Sequence, residues 1–487
     1  MAASAVMAVT SPHLCGMGGD LFALVHDGSG AVSALAAGGR AGSGADPQRL
    51  RSEGHAEIPP RDDVRATPVP GCVDGWLALL RRFGRLPVAE VLAPATALAE
   101  HGFPASPTLA AAVPKVADRD WAADLRSGAE PGRLVRRPGV GRALRDIVGA
   151  GRAGFYQGEF GRGLLALAAG ELSAADLGHD QASWVEPLAL DAWGARLWTA
   201  PPPSSGYLAL GGAGVAADLD LPADPDDPAW AHLLVEACRV VGHDRLAVLH
   251  EHADGRALLE AGALARRRSL VHPDRTCHLP VPAGAGGTTY LCAVDGDRAG
   301  VSLIQSNANG FGTGLGEPST GINLQSRGRG FSLIPGHPAE YGPGRRPPST
   351  LLPVLATRPD GSLLALLGTM GGDAQPQVVL QLLARLLVAG QSPGEAVAAG
   401  RFALGPLDPA AADGFATWQG RGAVAVEVEG HAPAGWADGL ASRGHTVRRA
   451  GPFDSGFGHA QAIVVRPDGV LEAAADPRTR AGAAVGW

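Results

Sequence analysis

Lysine is almost absent from this chain of 487 residues: Lys115 is the only one, so 40 of the 41 basic residues are arginine. The phosphate-binding pattern GxxxxGK[ST] is therefore missing, which excludes a nucleotide loop of that type. A pyridoxal Schiff base would have to use Lys115, in the ordinary context VPKVAD. The longest basic run is Arg266-Arg267-Arg268 and the net charge is −7, so we expect no nucleic-acid partner.

Several catalytic and metal-binding signatures are also missing. There is no GxSxG serine elbow and no HExxH zinc motif. His250 and His252 flank Glu251, but residues two apart do not share a helix face. We therefore expect no metal and no cofactor. The cysteines are five, widely spaced and never in a CxxC pair, which is typical of free thiols in a reducing compartment: Cys15, Cys72, Cys238, Cys277 and Cys292.

Long apolar runs are lacking too. None approaches 18 residues, so we expect no membrane partner. The start, MAASAVMAVTSPH, has no positive region typical of a signal peptide, and we expect a cytoplasmic protein. Hydrophobic residues make up 45% and charged residues 18%, which indicates a packed globular chain. Its length predicts two domains or one large layered domain.

The most informative stretch runs from Gly284 to Asn309, GAGGTTYLCAVDGDRAGVSLIQSNAN. Two apolar runs flank a turn-like DGDR segment, which is a hairpin signal. If the hairpin centres on Asp297, Thr288 and Ser306 each lie nine residues from it and face one another, with their Cβ atoms about 4.5–5.5 Å apart. A slip of one residue would separate them.

A threonine at the head of such a strand has a specific chemical use. When the threonine is a chain terminus, its own α-amine, with a pKa of about 7.7–8.0, can take the proton from its hydroxyl. Because Thr288 is internal, this use requires cleavage of the Gly287-Thr288 bond, and the preceding glycines allow the strained backbone that cleavage needs. The alternative is a Thr-rich edge strand without catalytic function.

The rest of the chain alternates strands and helices. Leu21 to Val25 and Ala31 to Ala36 predict a hairpin, and residues 71–102 predict two helices broken at Gly84 and Pro87. Further helices are predicted near 109–113, 141–148 and 229–250. Residues 193–205, WGARLWTAPPPSS, predict a strand that ends in a proline-fixed loop. After a strand over 363–367, GTMGGD opens a helix whose first amides can face a developing negative charge, with Asp373 as its N-cap.

Taken together, these segments resemble the gamma-glutamyltransferase family of N-terminal-nucleophile hydrolases. The resemblance covers almost the whole chain in the right order. The matching stretches are SPHLCGMGGDLFALV (11–25), PGCVDGWLALLRRFGRLPVAEVLAPATALAEHGFP (70–104), FYQGE (155–159), PPPSSGY (201–207), LLVEACRVVGHDR (233–245), TTYLCAVDGDRAGVSLIQSN (288–307), FGTG (311–314), GRRPPSTLLP (344–353), GTMGGD (368–373) and DPR (476–478).

The resemblance implies an α+β fold, a four-layer αββα sandwich. It also implies a precursor that cuts itself into a large fragment, 1–287, and a small fragment, 288–487, which stay together as a heterodimer, with higher oligomers left open. The implied substrate is a small acidic amide.

The resemblance further implies roles for individual residues. Thr288 is the nucleophile, Ser306 stands where the family has a second threonine, and Gly371 and Gly372 supply the oxyanion-hole amides. The implied carboxylate-binding residues are Arg40, Ser349 and Thr350, and an arginine is apt there because its fork binds a carboxylate in bidentate fashion.

Two departures bear on the substrate. The family has paired aspartates before Phe-Ser, one of which captures the substrate α-amine, and Arg329 and Gly330 replace them here. The asparagine beyond the second hydroxyl is Ala308, with Asn307 and Asn309 as candidate substitutes. Nearby arginines would repel an ammonium ion.

The segment 333–347 is also shorter than the family's lid loop, so the chain resembles a divergent branch with cephalosporin acylases and oxamate amidohydrolases. The family's N-terminal GGNAxDAA-like helix is absent from the sequence given.

Three hypotheses follow. The first is a self-processing amide hydrolase or acyltransferase for γ-glutamyl or a similar acidic acyl group, of the kind that acts on glutathione. The second is an amidohydrolase for an anionic acyl group without an α-amine, such as glutaryl or oxamyl. The third is an unprocessed relative without activity.

Overall fold

The computed structural model describes residues 1–279, 287–407, 424–479 and 481–486, with the backbone alone at residues 287 and 288. The glycines at 284–286 and the side chain of Thr288 therefore lie outside the described residues. The α-helices are α1 (Ala2–Thr10), α2 (Pro47–Ser52), α3 (Cys72–Phe83), α4 (Val88–His101), α5 (Pro107–Ala112), α6 (Pro138–Ala150), α7 (Arg152–Tyr156), α8 (Glu159–Ala168), α9 (Ala174–Gly178), α10 (Gly206–Ala216), α11 (Pro228–Gly242), α12 (Arg245–Val248), α13 (Gly255–Leu258), α14 (Ala261–Arg268), α15 (Gln375–Leu387), α16 (Pro393–Ala398) and α17 (Ala434–Ser442).

The strands form two main sheets and three small ones. The strands are β1 (Asp20–Asp27), β2 (Val32–Ala37), β3 (Phe103–Pro104), β4 (Leu134–Val135), β5 (Ser183–Val185), β6 (Leu188–Ala192), β7 (Ala195–Thr199), β8 (Gly287–Val294), β9 (Ala299–Ala308), β10 (Gly316–Glu317), β11 (Ile322–Asn323), β12 (Val354–Thr357), β13 (Leu363–Thr369), β14 (Phe402–Pro406), β15 (Val424–Val428), β16 (Val447–Arg449), β17 (Ala460–Val465) and β18 (Leu471–Ala475).

The two main sheets are antiparallel. The first has the strand order β5-β2-β1-β9-β8, and the second has the order β18-β17-β13-β12-β7-β6. Each therefore combines strands from before and after residue 287. In the first sheet β1 pairs with β9 from Asp20 opposite Ser306 to Asp27 opposite Ala299. In the second sheet β7 pairs with β12.

The layers follow from the alternation of side chains along each strand. In β1, Leu24 points inward and packs with Leu355 and Leu366 of the second sheet. Its neighbour Ala23 points outward into a core built with the helices of the first 180 residues. The outer face of the second sheet packs on α10, α11, α15 and α17. The order helix, sheet, sheet, helix is the expected four-layer αββα sandwich.

Most local predictions are confirmed. The β1–β2 hairpin forms, and α3 and α4 are separated at Gly84 and Pro87. The single helix predicted over 229–250 is wrong, because α11 ends at Gly242 and α12 starts at Arg245. Between them, the Asp244 carboxylate binds Arg267 of α14 at 2.9 Å. Among the described residues, no helix is both long enough and apolar enough to cross a membrane.

Candidate active site

The β8–β9 hairpin has the predicted register over most of its length. Thr289 pairs with Gln305 and Val294 with Gly300, so the hairpin is centred on Asp297. Beyond Thr289 the register shifts by one, and Gly287 pairs with Ala308. Thr288 is therefore opposed by two residues, Ser306 and Asn307, instead of Ser306 alone. This is a β-bulge, and such bulges re-aim side chains near active sites.

Ser306 is held in place by the bulge. Its side chain is fully buried, and its Oγ accepts a hydrogen bond from the Ala308 N–H at 2.8 Å. Ala308, the next residue after the bulge, has a φ of 72°, a left-handed conformation that is uncommon for residues other than glycine. On its other side Ser306 pairs with Asp20 of β1. The hydroxyl therefore has a fixed place between the head of β8 and β1.

The two candidate asparagines differ in their surroundings. Asn307 is buried, its Nδ2 donates to the Pro12 carbonyl at 3.0 Å, and its backbone N–H donates to the Leu14 carbonyl at 3.2 Å. Its side chain thus fastens the loop after α1 to β9. Asn309 is half-buried, and its carbonyl accepts a hydrogen bond from the Gly312 N–H at 2.5 Å. A role for either in substrate binding stays a prediction.

Gly371 and Gly372 form a turn between β13 and α15. Their φ angles are 139° and 55°, both in the range that favours glycine. Both residues are buried, and neither amide donates a hydrogen bond to another residue in the described ranges. Two unpaired amides on consecutive residues are the donors that an oxyanion hole needs.

This turn lies at the same end of the sandwich as Thr288. Gly300, opposite Val294 at the turn end of the hairpin, faces β13 so closely that an added Cβ would lie 2.8 Å from Leu363. Near the head of β8, a Cβ on Gly368 would lie 2.3 Å from the Tyr290 ring. β13 therefore runs toward the head of β8, and it ends next to the Gly371-Gly372 turn.

Asp373 does not cap the following helix, so that prediction is wrong. It lies in a 3-10 turn, Gly372–Ala374, and the N-cap of α15 is Ala374. The carboxylate of Asp373 is buried and pairs with Arg245 Nη1 at 3.0 Å. Arg245 comes from the end of the LLVEACRVVGHDR stretch, more than a hundred residues earlier, and sequence analysis did not single it out.

The Ser349-Thr350 segment is buried and carries a second arginine. Ser349 forms a bridge with Ser204, and its N–H donates to the Pro203 carbonyl at 2.8 Å. The Thr350 hydroxyl accepts a hydrogen bond from Arg327 Nη1 at 3.1 Å. Arg327 is buried and lies in SRGRGFS, where sequence analysis considered only its neighbours Arg329 and Gly330.

Arg40 lies in the loop after β2. Its backbone N–H donates to Gln181 Oε1 at 3.2 Å, and its side chain is half-buried. Burial lowers the pKa of Arg346 to about 10, and the nearby positive charge of Arg40 contributes to the same shift. Neither contact places Arg40 beside the oxyanion turn or the bulge, and its contact with a substrate carboxylate stays a prediction.

A cavity of about 620 Å³ opens beside these residues. Its wall includes Ala308 from the bulge, Thr350, and three arginines: Arg245, Arg327 and Arg329. The one carboxylate among its described lining residues, Glu57, is solvent-exposed. The interior is therefore strongly positive, which suits an anionic ligand.

The buried charges explain the pKa values here. Burial lowers the pKa of Arg327 to about 10, and Arg245 and Arg329 act in the same direction, while the Asp20 and Asp373 carboxylates oppose them. Burial raises the pKa of Asp20, and Arg327 opposes that shift. The Asp20 carboxylate also accepts hydrogen bonds from the Gly39 N–H and from Gln325 Nε2, both at 2.9 Å. No group of three His, Cys, Asp or Glu side chains in the described ranges is arranged to hold a metal.

The chain is similar to known proteins over its whole length. The model of the gamma-glutamyltranspeptidase family matches residues 1–486. The oxamate amidohydrolase proenzyme of Klebsiella pneumoniae is 33% identical over 509 aligned residues, covering 100% of this chain and 93% of that protein. The glutathione hydrolase-like YwrD proenzyme of Bacillus subtilis is 32% identical over 503, covering 100% and 93%. The crystal structure of cephalosporin acylase from Bacillus halodurans superimposes with a TM-score of 0.87 at 30% identity, covering 98% of this chain and 89% of that one.

Proposed function

Because the chain belongs to the gamma-glutamyltranspeptidase family, we propose that it is a self-processing amide hydrolase or acyltransferase whose nucleophile is Thr288. The observation that carries the proposal is the bulge that sets Ser306 and Asn307 opposite Thr288, at the end of the sandwich where the Gly371-Gly372 turn lies. A nucleophile, a buried hydroxyl and two amides that donate to no other described residue are the parts that acyl transfer needs.

The first step is cleavage of the Gly287-Thr288 bond. The products are fragments 1–287 and 288–487, and the sheet order explains why they stay together. The β1–β9 ladder joins them in the first sheet, and the β7–β12 ladder joins them in the second. Separating the fragments would expose four new strand edges, those of β1, β9, β7 and β12, and both hydrophobic cores. We therefore propose a stable heterodimer, with higher assembly left open.

In the second step the Thr288 hydroxyl attacks the carbonyl of the bound amide. The free α-amine of Thr288 takes the hydroxyl proton, since its pKa of about 7.7–8.0 is close to ambient pH. The buried Ser306 hydroxyl orients the nucleophile. The amides of Gly371 and Gly372 stabilise the oxyanion, at about 3–4 kcal/mol for each donor in comparable sites. The Thr288 α-amine then passes this proton to the nitrogen of the substrate amide, which leaves as an amine. Water or an acceptor amine finally releases the acyl group from Thr288.

The substrate is an amide with an anionic acyl group. Three arginines line the cavity, and Glu57, the one carboxylate that the described residues add to the lining, is exposed. Arg40, Ser349 and Thr350 are the carboxylate-binding residues that the family likeness implies. This wall favours an acyl group without an α-amine, such as glutaryl or oxamyl, over γ-glutamyl, because no described lining residue offers a buried carboxylate to an ammonium ion. We place the enzyme in a reducing compartment such as the cytoplasm, since all five cysteines are free.

A denaturing gel tests the processing. Wild type should give two fragments, and mass analysis of the smaller one should place Thr288 at its N-terminus. Thr288→Ala should stay full length, while Thr288→Ser should be cut more slowly. A catalytically competent wild type with a continuous backbone would contradict the proposal. An inactive wild type that stays full length would support the third hypothesis, a relative without activity.

Parallel assays separate the two acyl classes. The substrates are γ-glutamyl-p-nitroanilide and glutaryl-p-nitroanilide, which differ only in the α-amine. We expect the glutaryl compound to be preferred in kcat/KM. A preference of about tenfold or more for the γ-glutamyl compound, about 1.4 kcal/mol, would count against the class without an amine.

A further inference from the structure

Two buried arginines in the cavity wall have N–H groups for which the described residues offer no hydrogen-bond acceptor. We propose that Arg327 and Arg245 together bind the carboxylate of the acyl group, so that they, with Thr350, set the preference for anionic acyl donors. This inference rests on the proposed function, because it assigns the charged end of the same substrate. It goes beyond the family likeness, which implies Arg40 for this contact.

Arg327 presents a complete bidentate edge. The residue is 3% exposed, and its Nη1 donates to the Thr350 hydroxyl at 3.1 Å, which fixes the plane of the guanidinium group. Its Nε and Nη2 have no hydrogen-bond partner among the described residues, and it forms no ion pair with them. These two nitrogens form the edge that binds both oxygens of one carboxylate through parallel hydrogen bonds.

Arg245 adds a second positive charge to the same wall. It is 5% exposed, and its Nη1 lies 3.0 Å from Asp373 Oδ1, which holds the side chain beside the oxyanion turn. Its Nε has no hydrogen-bond partner in the described part of the chain. Asp373 therefore neutralises part of the charge and orients the group, and one N–H stays available.

The charge balance around Arg327 favours a bound anion. Asp373 is engaged with Arg245, and the Asp20 carboxylate accepts hydrogen bonds from Gly39 and Gln325 instead of Arg327. A buried guanidinium without a paired carboxylate is costly, and a second arginine nearby adds repulsion. A carboxylate bound between the two arginines would remove both penalties. A neutral acyl group would remove neither the cost of the unpaired guanidinium nor the repulsion between the arginines. The site therefore selects anionic over neutral acyl groups.

The test measures selectivity for charge. The substrates are glutaryl-p-nitroanilide and pentanoyl-p-nitroanilide, which have the same chain length with and without the carboxylate. Wild type should favour the glutaryl compound by about 100-fold in kcat/KM. Arg327→Gln should lower that ratio by about tenfold or more, while kcat/KM for the pentanoyl compound changes by less than about threefold. Arg245→Lys, which keeps a charge beside Asp373, should lower the ratio by a smaller factor.

Arg385→Gln is the matched control. Arg385 is also buried, at 3% exposure, but its guanidinium lies over Trp230 and does not line the cavity. Its substitution should leave the ratio unchanged. A ratio that collapses in Arg40→Ala but not in Arg327→Gln would overturn the inference in favour of Arg40. An unchanged ratio in Arg327→Gln overturns it in any case.

A second measurement covers the outcome in which Arg327→Gln is not processed. Glutarate should then inhibit wild type about tenfold more strongly than pentanoate, and equal inhibition would overturn the inference. The outcomes also separate this inference from the proposed function. A wild type that stays full length and hydrolyses neither anilide contradicts the proposed function itself. A processed wild type that hydrolyses both anilides equally contradicts the carboxylate site alone.

Discussion

The ring of Tyr290 lies against Gly368 so closely that a β-carbon on this glycine would stand 2.3 Å from it. Tyr290 is two residues after Thr288, and Gly368 is three residues before Gly371. The contact therefore sets the separation between β8, which carries the proposed nucleophile, and the proposed oxyanion turn. Positioning of this kind contributes strongly to catalysis, because small displacements of reacting groups are costly.

Gly368→Ala should push β8 and β13 apart. We expect overpacking to cost about 1–3 kcal/mol in the free energy of unfolding. We also expect self-cleavage and kcat to fall by about tenfold or more, because the nucleophile moves away from the oxyanion amides. The rate at which fragments appear on a gel and the steady-state kinetics measure both effects. Adding Tyr290→Leu should restore part of the loss, and a Gly368→Ala enzyme with wild-type rates would refute this coupling.

Ser306→Ala tests the hydroxyl opposite the nucleophile. We expect kcat to fall by about 10²-fold, with KM changed much less, because the hydroxyl acts on the nucleophile and not on the acyl group. Ser302→Ala is the control, since Ser302 is equally buried on the same strand but its hydroxyl is hydrogen-bonded to Tyr290 at 2.9 Å. Equal losses of kcat in the two variants would mean that Ser306 acts only through packing.

Gly371→Ala tests the oxyanion turn. Its φ of 139° is unfavourable for a residue with a β-carbon, so the amide should be displaced. We expect kcat to fall by about 10²–10³-fold, the usual effect of losing one oxyanion donor. Gly390→Ala is the control, because its φ is 63° and no atom lies within 4 Å of an added Cβ. It should lower stability but leave kcat unchanged, and a similar loss of kcat in Gly390→Ala would contradict the assignment.

The parts that sequence predicted well depend on local interactions. The centre of the β8–β9 hairpin at Asp297 follows from a turn signal and from apolar runs on each side of it. The helix break at Gly84 and Pro87 is equally local. The αββα layers came from the family likeness, whose segments occur in order along the chain.

The parts that sequence missed depend on distant residues. The bulge at Ser306 and Asn307 is fixed by hydrogen bonds from Asn307 to Pro12 and Leu14, about 290 residues away in the chain. Asp373 has the right position for an N-cap, but its carboxylate is used by Arg245. No spacing rule within one segment connects such partners. Arg327 could have been noticed as the arginine next to the replaced aspartates.

The DPR motif at residues 476–478 forms a buried charge network. This network connects the small sheet β14-β15-β16 to the second main sheet. Asp476 binds Arg401 at 2.6 Å and Arg478 at 3.1 Å, and Arg478 also binds Glu429. All four side chains are at most 2% exposed. Burial alone would raise the pKa of Asp476, but the two arginines, with backbone hydrogen bonds, more than offset this effect and hold the pKa below its usual value.

Asp476→Asn should therefore destabilise the protein strongly at neutral pH. Removing one partner of a buried ion pair costs about 3–5 kcal/mol, because the remaining charge stays buried and uncompensated. A carboxyl group with a lowered pKa contributes stability above its unfolded pKa and loses it as the pH falls. The gap in thermal midpoint between wild type and Asp476→Asn should thus be widest near pH 7 and narrow below about pH 3.8.

Asp468→Asn is the control, since Asp468 is 58% exposed and 3.7 Å from Arg466, and it should cost less than about 1 kcal/mol. Equal midpoints for the two variants at pH 7 would show that the network adds no stability.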